Sequence, residues 1–260
     1  MQVTQGDRSA TLMYDTGVSA YGLLKNMDAL GADAREIRAV TISHGHPDHS
    51  MGLLGLVDRL GSRSLPLVLH PDAFLERRVI LPDGHQLNYP APRRSDFRAE
   101  DIEVIEEVGP SMLVDGMALV SGEIRRTSSF ETGNPYHHAH REHGWEPDPL
   151  ISDDQCVIIN LRGKGLVIVT GCGHSGIINT LRNAQELTGI QNVHALVGGF
   201  HLTGSLMAPL IPQTVSMIRE IGPQYVMPGH CTGWSACHQL AATMPEAFVA
   251  SSVGTTLELT

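Results

Sequence analysis

The chain has no uninterrupted apolar run near the roughly 20 residues that cross a bilayer, so no transmembrane helix is expected. Its opening, Met1-Gln2-Val3-Thr4-Gln5-Gly6-Asp7, has no basic segment followed by an apolar one, so no secretory signal is expected there. Positive charge is scarce. There are 18 Lys and Arg against 28 Asp and Glu, a net charge of -10 with histidine neutral. The basic residues come in pairs, Arg77-Arg78, Arg93-Arg94 and Arg125-Arg126, rather than in runs. Nucleic-acid binding needs a basic face, so neither nucleic acid nor a membrane is expected as a partner. Cysteine is limited to Cys156, Cys172, Cys231 and Cys237. A chain of this size can bury a core without disulfides. Cys172 and Cys231 lie in histidine-containing motifs, so free thiols in a reducing cytoplasm are expected.

Against these scarcities stand 14 histidines. The densest group is His44-Gly45-His46-Pro47-Asp48-His49, directly after the apolar, partly β-branched stretch Ala39-Val40-Thr41-Ile42-Ser43. Neutral imidazole and carboxylate ligate zinc and other first-row divalent ions. His44 and His46 alternate, so an extended backbone can aim both the same way. Asp48 and His49 follow where the chain turns toward a helix. A catalytic metal usually takes three protein ligands. Four ligand-type residues in one loop therefore suggest two adjacent metals.

With 260 residues, 42% apolar and 18% charged, the composition is that of one large globular domain or two small ones. Residues 11–14 read as a strand ending at Asp15-Thr16-Gly17. Leu23, Leu24, Met27 and Leu30 recur at helical spacing before Gly31. A strand at 39–43 delivers the histidine motif. Leu53, Leu54, Val57 and Leu60 place a helix over 50–60, and 65–70 reads as a strand ended by Pro71. From about 82 to 150 prolines, glycines and charges dominate, with short strands near 102–108 and 117–121. A long loop is expected over 123–149, carrying His137, His138, His140 and His143, with solvated side chains expected and the lining of a substrate entrance as the alternative. Cys156–Leu161 and residues 166–170 read as a hairpin. A helix at 177–187, a strand at 193–197, a helix at 214–221 and a strand at 224–227 follow. The expectation is a single domain over 1–260 with a loop-rich insertion at about 82–150.

Three more strands end in histidine motifs: Thr170-Gly171-Cys172-Gly173-His174-Ser175-Gly176, Gly198-Gly199-Phe200-His201-Leu202 and Met227-Pro228-Gly229-His230-Cys231-Thr232-Gly233. Strand ends are where ligand sites gather. His174, His230 and Cys172 are candidate metal ligands, and His201 is a ligand or a substrate contact. His70 and His194 are expected to be structural. Asp153-Asp154 caps a strand, touches a ligand or is exposed.

These residues resemble the metallo-β-lactamase superfamily over roughly residues 10–235. His-x-His-x-Asp-His is its signature, and Asp15 matches the aspartate that precedes the signature and supports it. The four motifs together resemble a branch labelled by similarity to a dihydropterin–ribofuranosylaminobenzene phosphate synthase. The resemblance implies an α/β fold, a four-layer αβ/βα sandwich of two mixed β-sheets flanked by helices. It implies two divalent metal ions, zinc expected and iron or manganese as alternatives. His44 and His46 would hold one, while Asp48, His49 and His230 would hold the other. Cys172 occupies the position of a bridging aspartate. The window that usually gives the first metal a third histidine contains Asp153-Asp154 instead, so His174 or His201 must substitute. Only fourteen residues precede Asp15, where the superfamily usually has further strands. An open sheet edge covered by a second copy, a homo-oligomer, is the matching expectation.

The implied activity is a metal-dependent hydrolase that turns a metal-bound hydroxide on an ester, phosphoester or lactone of a small-molecule substrate. Asp48 would orient the nucleophile or carry its proton, and His201 would donate to the developing oxyanion. The alternatives are a pterin-type condensing enzyme that releases pyrophosphate, and a non-catalytic metal-binding protein.

Overall fold

A computed structural model describes residues 1–61, 65–97 and 102–260. Residues 98–101, within the expected insertion, lie outside the described residues. The chain opens with a hairpin of β1 (Gln2–Gln5) and β2 (Arg8–Tyr14). Helix α1 (Ala20–Leu30) starts at Ser19, whose hydroxyl accepts from Gly22 N, and stops at Gly31 in the left-handed region. After β3 (Ile37–Thr41) comes a short helix α2 (Pro47–Ser50), with proline in its first turn. Then follow α3 (Leu53–Leu60), β4 (Leu65–Leu69), β5 (Arg77–Ile80) and β6 (Gln86–Tyr89). The single helix expected over 50–60 is thus two. The break lies at Gly52, whose amide leaves the helical pattern to donate to Gly17 O at 3.0 Å.

Strands β7 (Ile102–Glu106), β8 (Ser111–Leu113) and β9 (Ala118–Val120) precede β10 (His137–Arg141) and β11 (Gly144–Pro147). The long loop expected over 123–149 therefore contains a hairpin. Its strands are short and polar on both faces, which hides the apolar alternation that marks a strand. The hairpin β12 (Cys156–Leu161) and β13 (Gly165–Thr170) is as expected. Helix α4 (Ile177–Thr188), strand β14 (Val193–Gly199), helix α5 (Ile211–Ile221), strand β15 (Tyr225–Gly229) and helix α6 (Trp234–Thr243) complete the series.

Two large sheets form the body. One has five strands in the order β1-β2-β3-β4-β7, and the other has six, β15-β14-β13-β12-β9-β8. Both are mixed, with parallel pairs at β2-β3, β3-β4, β4-β7, β13-β14 and β14-β15. Leu12, Ala39 and Val68 of the first pack against Leu113, Ala118, Val120 and Val157 of the second. Helices α1 and α3 cover the first sheet's outer face through Met27, Leu53 and Leu56. Helices α4, α5 and α6 cover the second through Ile178, Leu181, Val215 and Leu240. The result is the expected helix–sheet–sheet–helix sandwich. A third sheet of four antiparallel strands, β11-β10-β5-β6, was not anticipated. Among the described residues no helix is long and apolar enough to cross a membrane.

Candidate metal centre

Four strands of the two large sheets deliver their C-terminal ends to one place. His44 and His46 follow β3, and Asp48 and His49 lie in α2. Cys172 and His174 follow β13, His201 follows β14, and His230 and Cys231 follow β15. Asp15, His201 and His230 all have positive φ, 61°, 45° and 50°. Non-glycine residues rarely adopt that region, and it is tolerated where function requires an awkward aim.

Asp15 builds the floor. It accepts from Ser43 N at 2.7 Å, Ser43 Oγ at 2.8 Å and His49 Nδ1 at 2.7 Å. This fixes His49 with Nε2 pointing into the site, as a supporting carboxylate does for a metal-ligating histidine. A Cβ at Gly171 would lie 2.1 Å from Ser43 Oγ and 2.9 Å from Asp15 Oδ2, so only glycine admits this contact between the two halves. Asp153 supports the motif from the other side. It accepts from Gly45 N at 2.7 Å and forms an ion pair with the buried Arg77 at 2.7 Å. Asp154 accepts from Ser175 N at 2.8 Å, next to His174. The Asp153-Asp154 pair thus holds motif backbones, and neither residue belongs to the clusters of ligand-type side chains below.

The ligand-type side chains converge in three overlapping groups whose donor atoms lie within 4.8 Å of one another: Asp48, His49, Cys172 and His230; His44, Cys172 and His174; and Cys172, His201 and Cys231. Cys172 belongs to all three. His46 adjoins the second group, with its Nδ1 3.0 Å from His44 Nε2 and its ring centroid 4.9 Å from that of His174. Of the two alternatives for a further histidine, His174 groups with His44 and Cys172 and His201 with Cys172 and Cys231, and their rings lie 4.2 Å apart.

The donor set fits divalent ions. His44 Nε2 and His46 Nδ1 face each other at 3.0 Å, and His174 Nε2 is buried with no hydrogen-bond partner. His49 Nε2 and His230 Nε2 face each other at 3.0 Å, and Cys172 Sγ lies 3.2 Å from His49 Nε2. Two nitrogens bound tetrahedrally to one zinc at about 2.1 Å would be about 3.4 Å apart. Deprotonated, such facing ring nitrogens are what a cation satisfies together.

Electrostatics agree. Burial, reinforced by neighbouring imidazoles, holds His44 and His174 well below the usual histidine range. Burial and the charge of Arg77 do the same to His46. All three are therefore neutral and able to ligate. Burial also works against charge on His49, but the Asp15 carboxylate outweighs it and holds the imidazolium up to about 9. Burial opposes ionisation of Asp48 too, yet the His230 hydrogen bond and the nearby imidazoles bring it down to about 2. The proton on His49 occupies a place that a cation would take, and its release on metal binding is the ordinary linkage.

Asp48 and His230 are exposed at the mouth, 3.1 Å apart. A cavity lies on the His174 and His201 side of the cluster, lined also by Glu131, Phe200, Met207 and Leu210. Three contributors are additional to the sequence reading. Cys231 faces Cys172. Tyr89 of β6 stands over His46 with ring centroids 5.1 Å apart. His137 of β10 is buried, with its ring 5.6 Å from His46 and 5.7 Å from His174. Burial and the charge of His201 bring His137 down to about 4. The expectation that the loop histidines are solvated fits His140 and His143, which are exposed, and is wrong for His137. His70 and His194 are buried and belong to none of these groups.

The family model described as the metallo-beta-lactamase superfamily matches residues 3–187. Two proteins of Methanocaldococcus jannaschii are similar. One, named 7,8-dihydropterin-6-methyl-4-(beta-D-ribofuranosyl)-aminobenzene-5'-phosphate synthase, is 28% identical over 244 residues, covering 91% of this chain and 80% of its own. The other, an uncharacterized protein, is 28% identical over 236 residues, covering 88% and 82%. The crystal structure of Tm1679, described as a metal-dependent hydrolase of the beta-lactamase superfamily, superposes with a TM-score of 0.76 at 24% identity. That match covers 99% of this chain and 95% of Tm1679.

Proposed function

The chain belongs to the metallo-beta-lactamase superfamily, and from that premise we propose that it is a metal-dependent hydrolase of ester, phosphoester or lactone bonds in a small molecule. The observation that carries the reading is two pairs of mutually facing imidazole nitrogens, His44 Nε2 with His46 Nδ1 and His49 Nε2 with His230 Nε2, each 3.0 Å apart, with the unpartnered buried His174 Nε2 in the same cluster. His44, His46 and His174 would hold one ion. Asp48, His49 and His230 would hold a second, with Cys172 between them. Bound there, divalent ions would make water a nucleophile near neutral pH and polarise an acyl or phosphoryl oxygen.

The chain's own residues do the rest. Asp48, ionised and at the mouth, accepts a hydrogen bond from the attacking water and orients it. His201, at the cavity wall, donates to the oxygen on which charge develops. Phe200, Met207 and Leu210 give the cavity an apolar wall that excludes water from a bound substrate. The zinc-thiolate chemistry open to Cys172 favours zinc over manganese.

Elemental analysis of protein purified without added metal, paired with a screen of aryl esters, phosphodiesters, phosphotriesters and lactones, tests this. Near two ions per chain and turnover that a chelator abolishes are expected, and His46→Ala with Asp48→Ala together should remove that turnover. Full turnover in the metal-free double variant would sink the reading. The 28% identity to the named synthase supports a second reading, a condensation that releases pyrophosphate from a pterin diphosphate. Pyrophosphate release with authentic substrates, without ester or lactone turnover, would favour it.

A further inference from the structure

Cys231 is not needed for either proposed ion, yet it is placed with care. Its Sγ lies within 4.8 Å of Cys172 Sγ and of a His201 nitrogen, and 3.4 Å from Cys172 O. The end of β14 makes room for this. A Cβ on Gly199 would clash with Gly171 O at 2.3 Å and would also sit 3.0 Å from Cys231 Sγ and 3.1 Å from Cys172 Cα, so the bare strand end packs closely against both cysteines. Cys172 is buried and Cys231 is partly accessible. The other two thiols are differently situated. Cys156 is fully buried in β12, its amide bound to Ser121 Oγ, and Cys237 lies on α6. Cys172 is also the one residue common to all three ligand groups.

We propose that Cys172 and Cys231 form an oxidant-sensitive dithiol, a modification site for peroxide, and that their disulfide and a bound metal exclude each other. The accessible Cys231 sulfur attacks a peroxide oxygen and the O–O bond breaks, giving a sulfenic acid and one water. The Cys172 sulfur then attacks the Cys231 sulfur. The S–S bond forms, the S–O bond breaks, and the hydroxide leaves as a second water with the thiol proton. Two thiols give up two electrons and peroxide becomes two waters. The disulfide takes from the site the sulfur that every ligand group shares, since thiolate, not disulfide, is the ligand. The oxidation step stands on the sulfur geometry alone. The consequence for ion uptake rests on the proposed metal reading.

Intact mass, thiol counting and zinc uptake on the full chain test both parts. After treatment with hydrogen peroxide and removal of excess, the metal-free protein is expected to lose about 2 Da. Its four free thiols should fall to two, with one cross-linked peptide pair joining Cys172 and Cys231. Zinc uptake by the oxidised chain should drop more than about tenfold and return with dithiothreitol. Cys231→Ser should show no 2 Da loss and no cross-link. The zinc-loaded chain should show no 2 Da loss and no Cys172–Cys231 cross-link under the same exposure. Four thiols remaining in the metal-free protein, a cross-link through Cys156 or Cys237, or an oxidised chain that takes up zinc like the reduced one would each overturn the proposal. A reduced chain that takes up no zinc would overturn the metal reading instead, and the mass shift would still decide the disulfide.

Discussion

Asp15 shows how much one side chain without a ligand role carries. Its three hydrogen bonds tie β2 to the start of the histidine motif and aim His49. Asp15→Asn keeps the shape but cannot accept from all three donors as an anion does. Zinc affinity, measured by competition with a chromophoric chelator, should fall about 10- to 100-fold. Unchanged affinity would reduce Asp15 to a fold contact. Asp154 makes a different prediction. Burial pushes its carboxyl up to about 6, above the ordinary 3.8, against the Ser175 hydrogen bonds that lower it. The folded chain then holds a proton that the unfolded chain has released between about pH 4 and 6, so this group's contribution to stability falls as pH rises through that window. The change is about 2 to 3 kcal/mol. Urea unfolding of Asp154→Asn should lack that component relative to the parent. Identical pH slopes would count against a protonated Asp154. The ligand-type residues were legible because motif spacing, strand ends and adjacent glycines all point one way. His137 was not, because nothing in His137-His138-Ala139-His140-Arg141 distinguishes the buried histidine from its exposed neighbours.

The same hairpin decides what was legible among the elements. The apolar strands β3, β4, β13 and β14 and the amphipathic helices announce themselves by period. The four-stranded sheet does not, because its burial comes from ion pairing. Arg77 on β5 is fully buried, 2.8 Å from Asp148 and 2.7 Å from Asp153. Arg141 on β10 also reaches Asp148, at 3.3 Å. The sheet therefore docks on the site through Asp153, which also holds Gly45 N. Arg77→Met leaves two buried carboxylates without their shared partner, at a cost of about 3 to 5 kcal/mol. For a chain of this size that lowers the melting temperature by about 6 to 20 °C, read by differential scanning calorimetry. It should also weaken zinc binding, because the His44–His46 loop loses its anchor. A shift under 2 or 3 °C, about what one kcal/mol produces, would mean that water replaces the guanidinium and that the sheet docks by other contacts.

For the molecule as a whole, the ligand-type residues straddle the two large sheets. His44, His46, Asp48 and His49 belong to the first half, and Cys172, His174 and His230 to the second. The halves are already joined without an ion, by the apolar layer around Leu12 and Val157 and by bonds such as Gln155 Nε2 to Ile42 O at 2.8 Å and Tyr14 OH to Gln155 O at 2.7 Å. The metal-free chain should therefore remain folded and melt in one transition. An ion bound across the seam should add stability by mass action, about 4 kcal/mol at a free concentration a thousand times its Kd. At about 2 to 4 °C per kcal/mol, chelation should lower the melting temperature by about 8 to 16 °C. His174→Ala and His230→Ala, each losing a ligand from the second half, should abolish part of that difference, whereas His140→Ala, exposed on β10, should leave it intact. Equal melting temperatures with and without chelator, for the parent protein, would mean that no ion spans the two sheets.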